Sequence, residues 1–295
     1  MEEHHHHSID HLNKAFIVGI VLNLIFVFTE FGAGIWLDSM ALMSDAGHNL
    51  SDVVSLVLAL LAFRLAKIKP NATYTYGYKK STVLVSLLNA CILLIAVGFI
   101  LTESIRKLKT PEPVEGNAVA LVAGIGIIIN AFTAWLFMKD KDRDLNVKGA
   151  YLHMAADTLV SVGVLVSGIV IQHTGWYIID PLISIVIAIV ILVSTAGLLH
   201  DSLRLSLDGV PAGIDTEKIY RLLLKADNRI KDIHHLHIWA ISTTENALTA
   251  HIVIQSANDM EDIKHRVKQL LEKEHISHAT LEFELPEGHC EEHCH

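Results

Sequence analysis

Two short motifs in otherwise apolar stretches of the sequence carry side chains that bind transition metals. His48 and Asp52 are separated by three residues, and His153 and Asp157 repeat that spacing. Residues four apart share one face of an α-helix, so each motif would present an imidazole and a carboxylate together. If the two faces oppose each other, they supply the four ligands of a tetrahedral Zn²⁺ site.

The carboxylates in these motifs need a partner. A charged side chain in the middle of a bilayer costs several kcal/mol. The other apolar stretches contain no Lys or Arg that could neutralise Asp52 and Asp157, so a divalent cation or protons would have to do so. The alternative is that each side chain only hydrogen-bonds or caps a neighbour, which the repetition of the motif disfavours. Asp45 would either orient a metal ligand or lie near the membrane interface.

The stretches around the motifs are typical of membrane-spanning helices. The sequence is 52% hydrophobic with a mean hydropathy of +0.43, and its apolar residues concentrate before position 206. About twenty apolar residues can cross a bilayer as a helix. We therefore predict an all-α membrane domain at 14–206 with six transmembrane helices, at 14–37, 40–66, 79–108, 115–139, 144–173 and 177–206.

The distribution of Lys and Arg predicts the orientation of this domain. With both termini on one side, most basic loop residues fall on that side, and Arg106, Lys107 and Lys109 fall on the other. Cytoplasmic loops of membrane proteins carry an excess of Lys and Arg. Both termini are therefore expected in the cytoplasm.

A change of composition after Asp208-Gly209-Val210-Pro211 indicates a second, soluble domain. Hydrophobic spacing predicts elements in the order α-β-β-α-β, an α+β arrangement with helices on one face of a three-stranded sheet. This cytosolic domain is predicted at 207–286, with a His-rich segment at 1–13 and a His- and Cys-rich tail at 287–295. The net charge of −9 argues against a nucleic-acid partner.

Four segments match a known pattern. They are ALMSDAGH at 41–48, YTYGY at 74–78, DLNVKGAYLH at 144–153 and DPLIS at 180–184. On these segments the sequence resembles the cation diffusion facilitator family of zinc transporters, and the resemblance covers nearly the whole chain. It implies a homodimer, a metallochaperone-like cytosolic domain, alternating access in the membrane domain, and exchange of metal ions for protons.

Two loops refine this resemblance. The 67–73 loop contains no His, Asp or Cys, so the second metal site that some members carry there is not expected. The loop at 139–146 is short and lacks histidine, which resembles bacterial members more than animal vesicular transporters. The resemblance therefore favours a bacterial inner membrane.

Histidines of the cytosolic domain are candidates for a separate metal site. Alternation along the strands would direct His237, His251, Glu282 and Glu284 to the sheet face away from the helices. That face resembles the one on which family members dimerise and bind regulatory zinc. Exposed His and Glu also often serve only to solvate a sheet.

The resemblance implies a ligand set that overlaps with this one. This set contains His251, Glu282 and Glu284 and adds His234 and His265. Strand parity would exchange His234 for His235 or His237, and the sequence leaves this choice open. His278 is a further candidate.

The two ends of the chain form another candidate site. The C-terminal ligands are His289, Cys290, His293 and Cys294, and the N-terminal ones are His4, His5, His6, His7 and His11. Short His- and Cys-rich tracts bind zinc even without a fold. The tail would either combine with the partner subunit's N-terminal histidines, as the resemblance implies, or act as a flexible metal scavenger.

A pair of charges could join the two domains. Lys80 and Asp208 match positions that form an inter-domain ion pair at the dimer interface of family members. The alternative is that both charges contact only lipid headgroups and water.

Ligand chemistry predicts the substrate. Two imidazoles favour Zn²⁺ over Mg²⁺, Ca²⁺ or Mn²⁺, whereas Cd²⁺ and Co²⁺ are harder to exclude. His48 in particular resembles the zinc-selective members. A membrane zinc hydrolase is disfavoured because four protein ligands leave no open coordination position. A metal-sensing receptor that signals without transport remains the other alternative.

Overall fold

The computed structural model describes residues 2–36, 40–109, 117–176 and 178–286. Within these ranges it describes the side chains from Lys14 onward, apart from those of residues 34, 40–45, 47, 48, 51, 117–123, 164, 167, 168, 171, 172 and 180.

Six long helices form the N-terminal domain. They are α1 at Glu2–Trp36, α2 at Met40–Ala66, α3 at Ser81–Lys109, α4 at Asn117–Met138, α5 at Leu145–Thr174 and α6 at Ile179–Ser206. The predicted bounds agree to within two residues, except that α1 begins inside the His-rich N-terminal segment. The prediction of a helical membrane domain is confirmed.

Several of these helices are apolar on all sides. Among the described residues, Lys14–Ala33, Ser81–Lys109 and Pro181–Ser206 are long and apolar enough to cross a membrane, and Gly124–Met138 is apolar but shorter. Large apolar side chains also face outward, as in Phe28 and Phe99, which are both 72% exposed. A helix surface of this kind is stable in lipid and unfavourable in water.

The helix α5 packs in two apolar cores of the membrane domain. One core joins α1, α2, α4 and α5 around Phe16, Leu56 and Met154. The other joins α3, α5 and α6 around Leu93 and Ala188, with Ala156 of α5. Because α5 contributes to both cores, a shift of one helix group against the other acts on the residues that α5 carries.

The C-terminal domain has the predicted element order. Its elements are α7 at Thr216–Leu224, β1 at Ile230–Ala240, β2 at Asn246–Ile254, α8 at Met260–Lys273 and β3 at Ile276–Glu284. The sheet order is β1-β2-β3, with β1 antiparallel and β3 parallel to β2. Buried residues of both helices, including Leu223 and Ile263, pack on sheet residues such as Leu248 and Ile252.

A bulge interrupts β1. His234 pairs with His251 and His237 pairs with Thr249, so three steps along β1 match two along β2. His235 lies at this irregularity with a φ of 48°, in the left-handed region. Strand alternation alone would put His234 and His237 on opposite faces, and the extra residue instead places both on the face opposite to Ile233 and Ile238, which are buried.

The tip of the β1–β2 hairpin joins the two domains. The Thr243 amide donates to Thr82 Oγ1 of α3 at 3.1 Å, and the Thr243 hydroxyl donates to Asp144. Asp144 also accepts from the backbone amide of Asn146 at 2.7 Å, which caps the start of α5. Lys79 and Glu245 form an ion pair at 2.5 Å beside them.

Candidate metal sites

The first candidate site lies between α2 and α5. One ligand atom each of Asp52, His153 and Asp157 lies within 4.8 Å of the other two. His153 Nε2 hydrogen-bonds to Asp52 Oδ1 and lies 3.9 Å from Asp157 Oδ2. Asp52 is 1% exposed and His153 is 6% exposed, so the three groups converge inside the helical domain.

His48 and Asp45 belong to the same helix as Asp52. His48 precedes Asp52 by one helical turn of α2, but the side chains of His48 and Asp45 lie outside the described residues. The structure thus brings together three of the four predicted ligands. Two carboxylates beside one imidazole concentrate negative charge in a buried place, which favours a bound cation or protons.

A buried polar contact between α1 and α2 lies next to this site. Asn49 Nδ2 donates to Glu30 Oε2 at 2.7 Å, and the two side chains are 5% and 0% exposed. Asn49 follows His48 directly, so the contact holds α1 against the motif-bearing part of α2. The residue pattern alone does not predict this contact, although Glu30 is the single acidic residue in the apolar span of α1.

A small cavity adjoins the ligands. Its lining comes from α2, α3 and α5 and consists of Asp52, Ser55, Leu56, Asn89, Gly149, Ala150 and His153. The small residues Gly149 and Ala150 leave space beside the imidazole. Polar atoms from α2 and α3 therefore face the same space as two of the metal-ligand candidates.

The second candidate site lies on the outer face of the C-terminal sheet. Ligand atoms of His234, His251 and Glu284 lie within 4.8 Å of one another. His251 Nδ1 contacts Glu284 Oε1 at 2.6 Å, and His234 Nε2 lies 3.4 Å from Glu284 Oε2. Glu282 is 3.4 Å from His251 Nε2. The partly buried His234, His251 and Glu284, together with the exposed Glu282, could hold a metal ion with neutral histidines and ionised carboxylates.

The ring of His235 also lies beside this cluster, 4.9 Å from that of His251, whereas three other candidate histidines lie elsewhere. His237 is exposed beyond the bulge, and its ring is 6.5 Å from that of His235. His265 is exposed on α8, on the opposite side of the sheet, and contacts Gln269 at 2.8 Å. His278 packs edge-on against Tyr76 of the α2–α3 loop at 5.5 Å. A single chain therefore does not bring these three histidines to the cluster.

The terminal candidates fall largely outside the described residues. His289, Cys290, His293 and Cys294 lie beyond residue 286, where the description ends. The histidines 4–7 and His11 belong to α1, but their side chains are not among those described.

The structure contains an ion pair between Lys80 and Asp208. Lys80 Nζ lies 2.5 Å from Asp208 Oδ1 and also donates to the carbonyl oxygens of Leu205 at 2.9 Å and Ala240 at 3.1 Å. One ammonium thus joins the start of α3, the end of α6 and the end of β1 within a single chain.

Comparison with known proteins agrees with this architecture. The cation efflux transmembrane domain matches residues 16–205, and the cation efflux protein cytoplasmic domain, whose short name is ZT_dimer, matches residues 211–284. A cadmium, cobalt and zinc/H⁺-K⁺ antiporter of Bacillus subtilis is 35% identical over 95% of this chain and 91% of its own length.

Two further relatives cover similar shares of the chain. The zinc transporter ZitB of Pectobacterium atrosepticum is 32% identical over 99% of this chain and 93% of its own length. The cation efflux system protein CzcD of an Alcaligenes strain is 36% identical over 95% of this chain and 90% of its own length. The matching family consists of cation transporters and not of enzymes. This confirms the prediction that the chain is not an enzyme and removes the hydrolase alternative. The chain is an integral membrane protein and belongs to the cation efflux family, the cation diffusion facilitators.

Proposed function

We propose that this protein is a secondary active transporter that exports Zn²⁺ from the cytoplasm in exchange for protons. The proposed transport site consists of His48, Asp52, His153 and Asp157. The observation that carries the proposal is the convergence of Asp52, His153 and Asp157 in the buried space between α2 and α5. The names of relatives, which include zinc transporters and a metal/H⁺-K⁺ antiporter, also support zinc transport coupled to protons.

Proton exchange follows from the ligand chemistry. A histidine binds metal only when it is neutral, and a carboxylate only when it is ionised, so protons and metal compete for the same lone pairs. When the site faces the cytoplasm near neutral pH, it loses protons and takes up metal. When it faces outward, protons displace the metal. His48 and His153 suit this role because the ordinary pKa of histidine lies near physiological pH.

Alternating access would arise from movement between the two helix groups. The site lies between α2 of one apolar core and α5, which also belongs to the other core. A shift of the α3–α6 group would change how the faces of α2 and α5 meet. Such a shift would open the site to one side of the membrane and close it to the other.

The proposed substrate is Zn²⁺, with Cd²⁺ and Co²⁺ as poorer alternatives. Two imidazoles and two carboxylates form a tetrahedral set that suits zinc better than the hard cations Mg²⁺ and Ca²⁺. The names of relatives include cadmium and cobalt beside zinc. The residue at position 48 is therefore the proposed determinant of preference.

We also propose a homodimer in a bacterial inner membrane with both termini in the cytoplasm. The family model over residues 211–284 is named for dimerisation and describes a cytoplasmic domain. Zinc at His234, His251 and Glu284 would act as a regulatory ion on the face proposed for the partner subunit.

Reconstituted flux tests the proposal. Purified protein in liposomes with an imposed pH gradient should move Zn²⁺, and Asp52→Ala or Asp157→Ala should reduce the initial rate at least about hundredfold. Asp142→Ala, on an exposed loop of the helical domain, is the matched control and should retain wild-type flux. Transport by either site variant at the wild-type rate would refute the site. Metal binding without any flux would support a sensor instead.

A further inference from the structure

We propose that Ser55 and Asn89 form a neutral oxygen subsite on the cytoplasmic side of the transport site. This approach subsite would bind a partly hydrated divalent cation before it reaches Asp52 and His153. The inference rests on the proposed function and adds a step to it. It assigns Asn89 of α3 a role that the four-ligand motif does not contain.

The subsite shares a cavity with the transport ligands. Ser55 and Asn89 line the same cavity as Asp52 and His153, and each is 7% exposed. Asn89 Nδ2 donates to the Ser55 carbonyl oxygen at 3.4 Å, so its nitrogen end is engaged with α2. The oxygen end of that amide is then left for a ligand.

Two of the residues that line this cavity carry a buried oxygen without a hydrogen-bond partner. Among the described residues, neither Asn89 Oδ1 nor Ser55 Oγ has one. A buried polar atom without a partner costs free energy, and folded proteins normally satisfy such atoms with protein groups, water or a ligand. Here two such oxygens belong to residues of different helices that line one cavity beside a cluster of metal-ligand candidates. This arrangement indicates that the cavity holds an occupant that oxygen atoms can bind, such as a cation or its water molecules.

The direction of the chain places this subsite on the cytoplasmic side. The helix α2 runs from Met40 toward Ala66, the end that lies on the cytoplasmic side in the proposed orientation. Ser55 is three residues past Asp52 and therefore about 4.5 Å nearer that end. The cavity also includes Gly149 and Ala150, which precede His153 on α5. Since α5 begins at the junction with the cytoplasmic domain, these residues lie between that junction and the metal ligands.

Neutral oxygens fit the chemistry of an approach step. A divalent cation cannot leave water at once, because removing its hydration shell in a low-dielectric site is very costly. A hydroxyl and an amide oxygen can replace water molecules or accept hydrogen bonds from those that remain. Because both groups are uncharged, they would not hold the ion against the carboxylates and imidazoles of the transport site.

Steady-state flux and equilibrium binding together test the inference. In proteoliposomes, Asn89→Leu and Ser55→Ala should each raise the KM for Zn²⁺ about tenfold with kcat unchanged, the effect of one lost hydrogen bond to a charged partner. Calorimetry measures the Zn²⁺ Kd of the transport site, which is the binding component that Asp157→Ala lacks. In both variants this Kd should stay within about twofold of the wild-type value.

A matched control separates access from folding. Asn130 of α4 is 3% exposed, and its Oδ1 also has no partner among the described residues, but it does not line the cavity. Asn130→Leu should therefore leave the KM unchanged. If Asn89→Leu does not fold, the KM of Ser55→Ala is the sole test of the subsite. This variant should fold, because removing an unpartnered hydroxyl should not destabilise the chain.

The remaining outcomes would overturn the inference. An unchanged KM in Ser55→Ala would show that the subsite is not used. A loss of Zn²⁺ affinity in parallel with the rise in KM would make these residues ligands or supports of the transport site. Failure of the proposed function looks different, since wild type would then show no flux, or Asp157→Ala would transport normally.

Discussion

At the residue scale, the proposed transport site uses groups that bind either a proton or a metal ion. His153 lies between two carboxylates, hydrogen-bonded to Asp52 and 3.9 Å from Asp157. A metal ion that takes the imidazole nitrogen must displace the proton that this nitrogen otherwise donates. In the proposed mechanism, metal uptake and proton release are therefore two parts of one event at these atoms, and no separate proton carrier is required.

The residue at position 48 should control metal preference. We expect His48→Asp to raise Cd²⁺ flux relative to Zn²⁺ flux several-fold, because a carboxylate binds through one or both oxygens and tolerates a larger ion. Paired flux assays with each metal measure this ratio. The matched control is His173→Asp, near the end of α5, which should not change it. An unchanged ratio in His48→Asp would remove the assignment of selectivity to this position.

The cytoplasmic cluster should bind zinc independently of the transport site. In the full-length protein, His251→Ala should remove one class of bound Zn²⁺ per chain in equilibrium dialysis, because His251 contacts both Glu282 and Glu284. His237→Ala removes an exposed histidine of the neighbouring strand β1, on the same face of the sheet, and should leave the stoichiometry unchanged. Equal losses in both variants would mean that zinc binds to exposed histidines in general.

At the element scale, the sequence predicted most of the fold because hydropathy and helix length are local properties. The helices α2 to α6 lie within two residues of their predicted bounds, and the order of α7 to β3 was also predicted. The bulge at His235 could not be predicted, because it depends on pairing with β2. That single extra residue places His234 beside His251, although alternation along the strand alone would have put it on the other face.

The role proposed for Asn89 could not be predicted from the sequence for a similar reason. Hydropathy shows α3 as a membrane helix but gives no indication of which neighbour its polar residues face. The amide faces Ser55 only because α3 packs beside α2 and α5 in the folded domain. The motifs on α2 and α5 could be found from sequence because their spacing alone places two ligands on one helix face.

Loss of the Lys80 ammonium should lower the stability of the protein more than loss of its ion pair with Asp208. We expect Lys80→Met to lower the thermal unfolding midpoint more than Asp208→Asn, because Lys80 also donates to the carbonyls of Leu205 and Ala240. Asp208 has a φ of 56°, which asparagine also adopts, so the second substitution should not strain the backbone.

A double-mutant cycle separates the two contributions of Lys80. The pair is partly exposed, so its coupling energy should be no more than about 1 kcal/mol. An equal drop in the unfolding midpoint for both single variants would contradict the account, since it would assign the whole effect to the ion pair.

At the scale of the whole molecule, the two domains meet where α5 begins, the helix that carries two of the proposed transport ligands. Asp144 caps α5 and accepts a hydrogen bond from Thr243 at the tip of the β1–β2 hairpin. The strands of that hairpin carry His234 and His251. The two candidate metal sites, on the sheet face and between the helices, are thus connected through β1, β2 and the start of α5, the route by which the proposed regulatory zinc would act on transport.

The most direct test of the account is the position of zinc in the protein. Crystals grown with Zn²⁺ should show an anomalous difference peak between α2 and α5, about 2.0–2.2 Å from nitrogen or oxygen atoms of His48, Asp52, His153 and Asp157. Crystals of Asp157→Ala should lose that peak and keep the one at His251. A zinc-loaded structure with no peak between these helices, or with the four side chains turned toward lipid, would contradict the central claim.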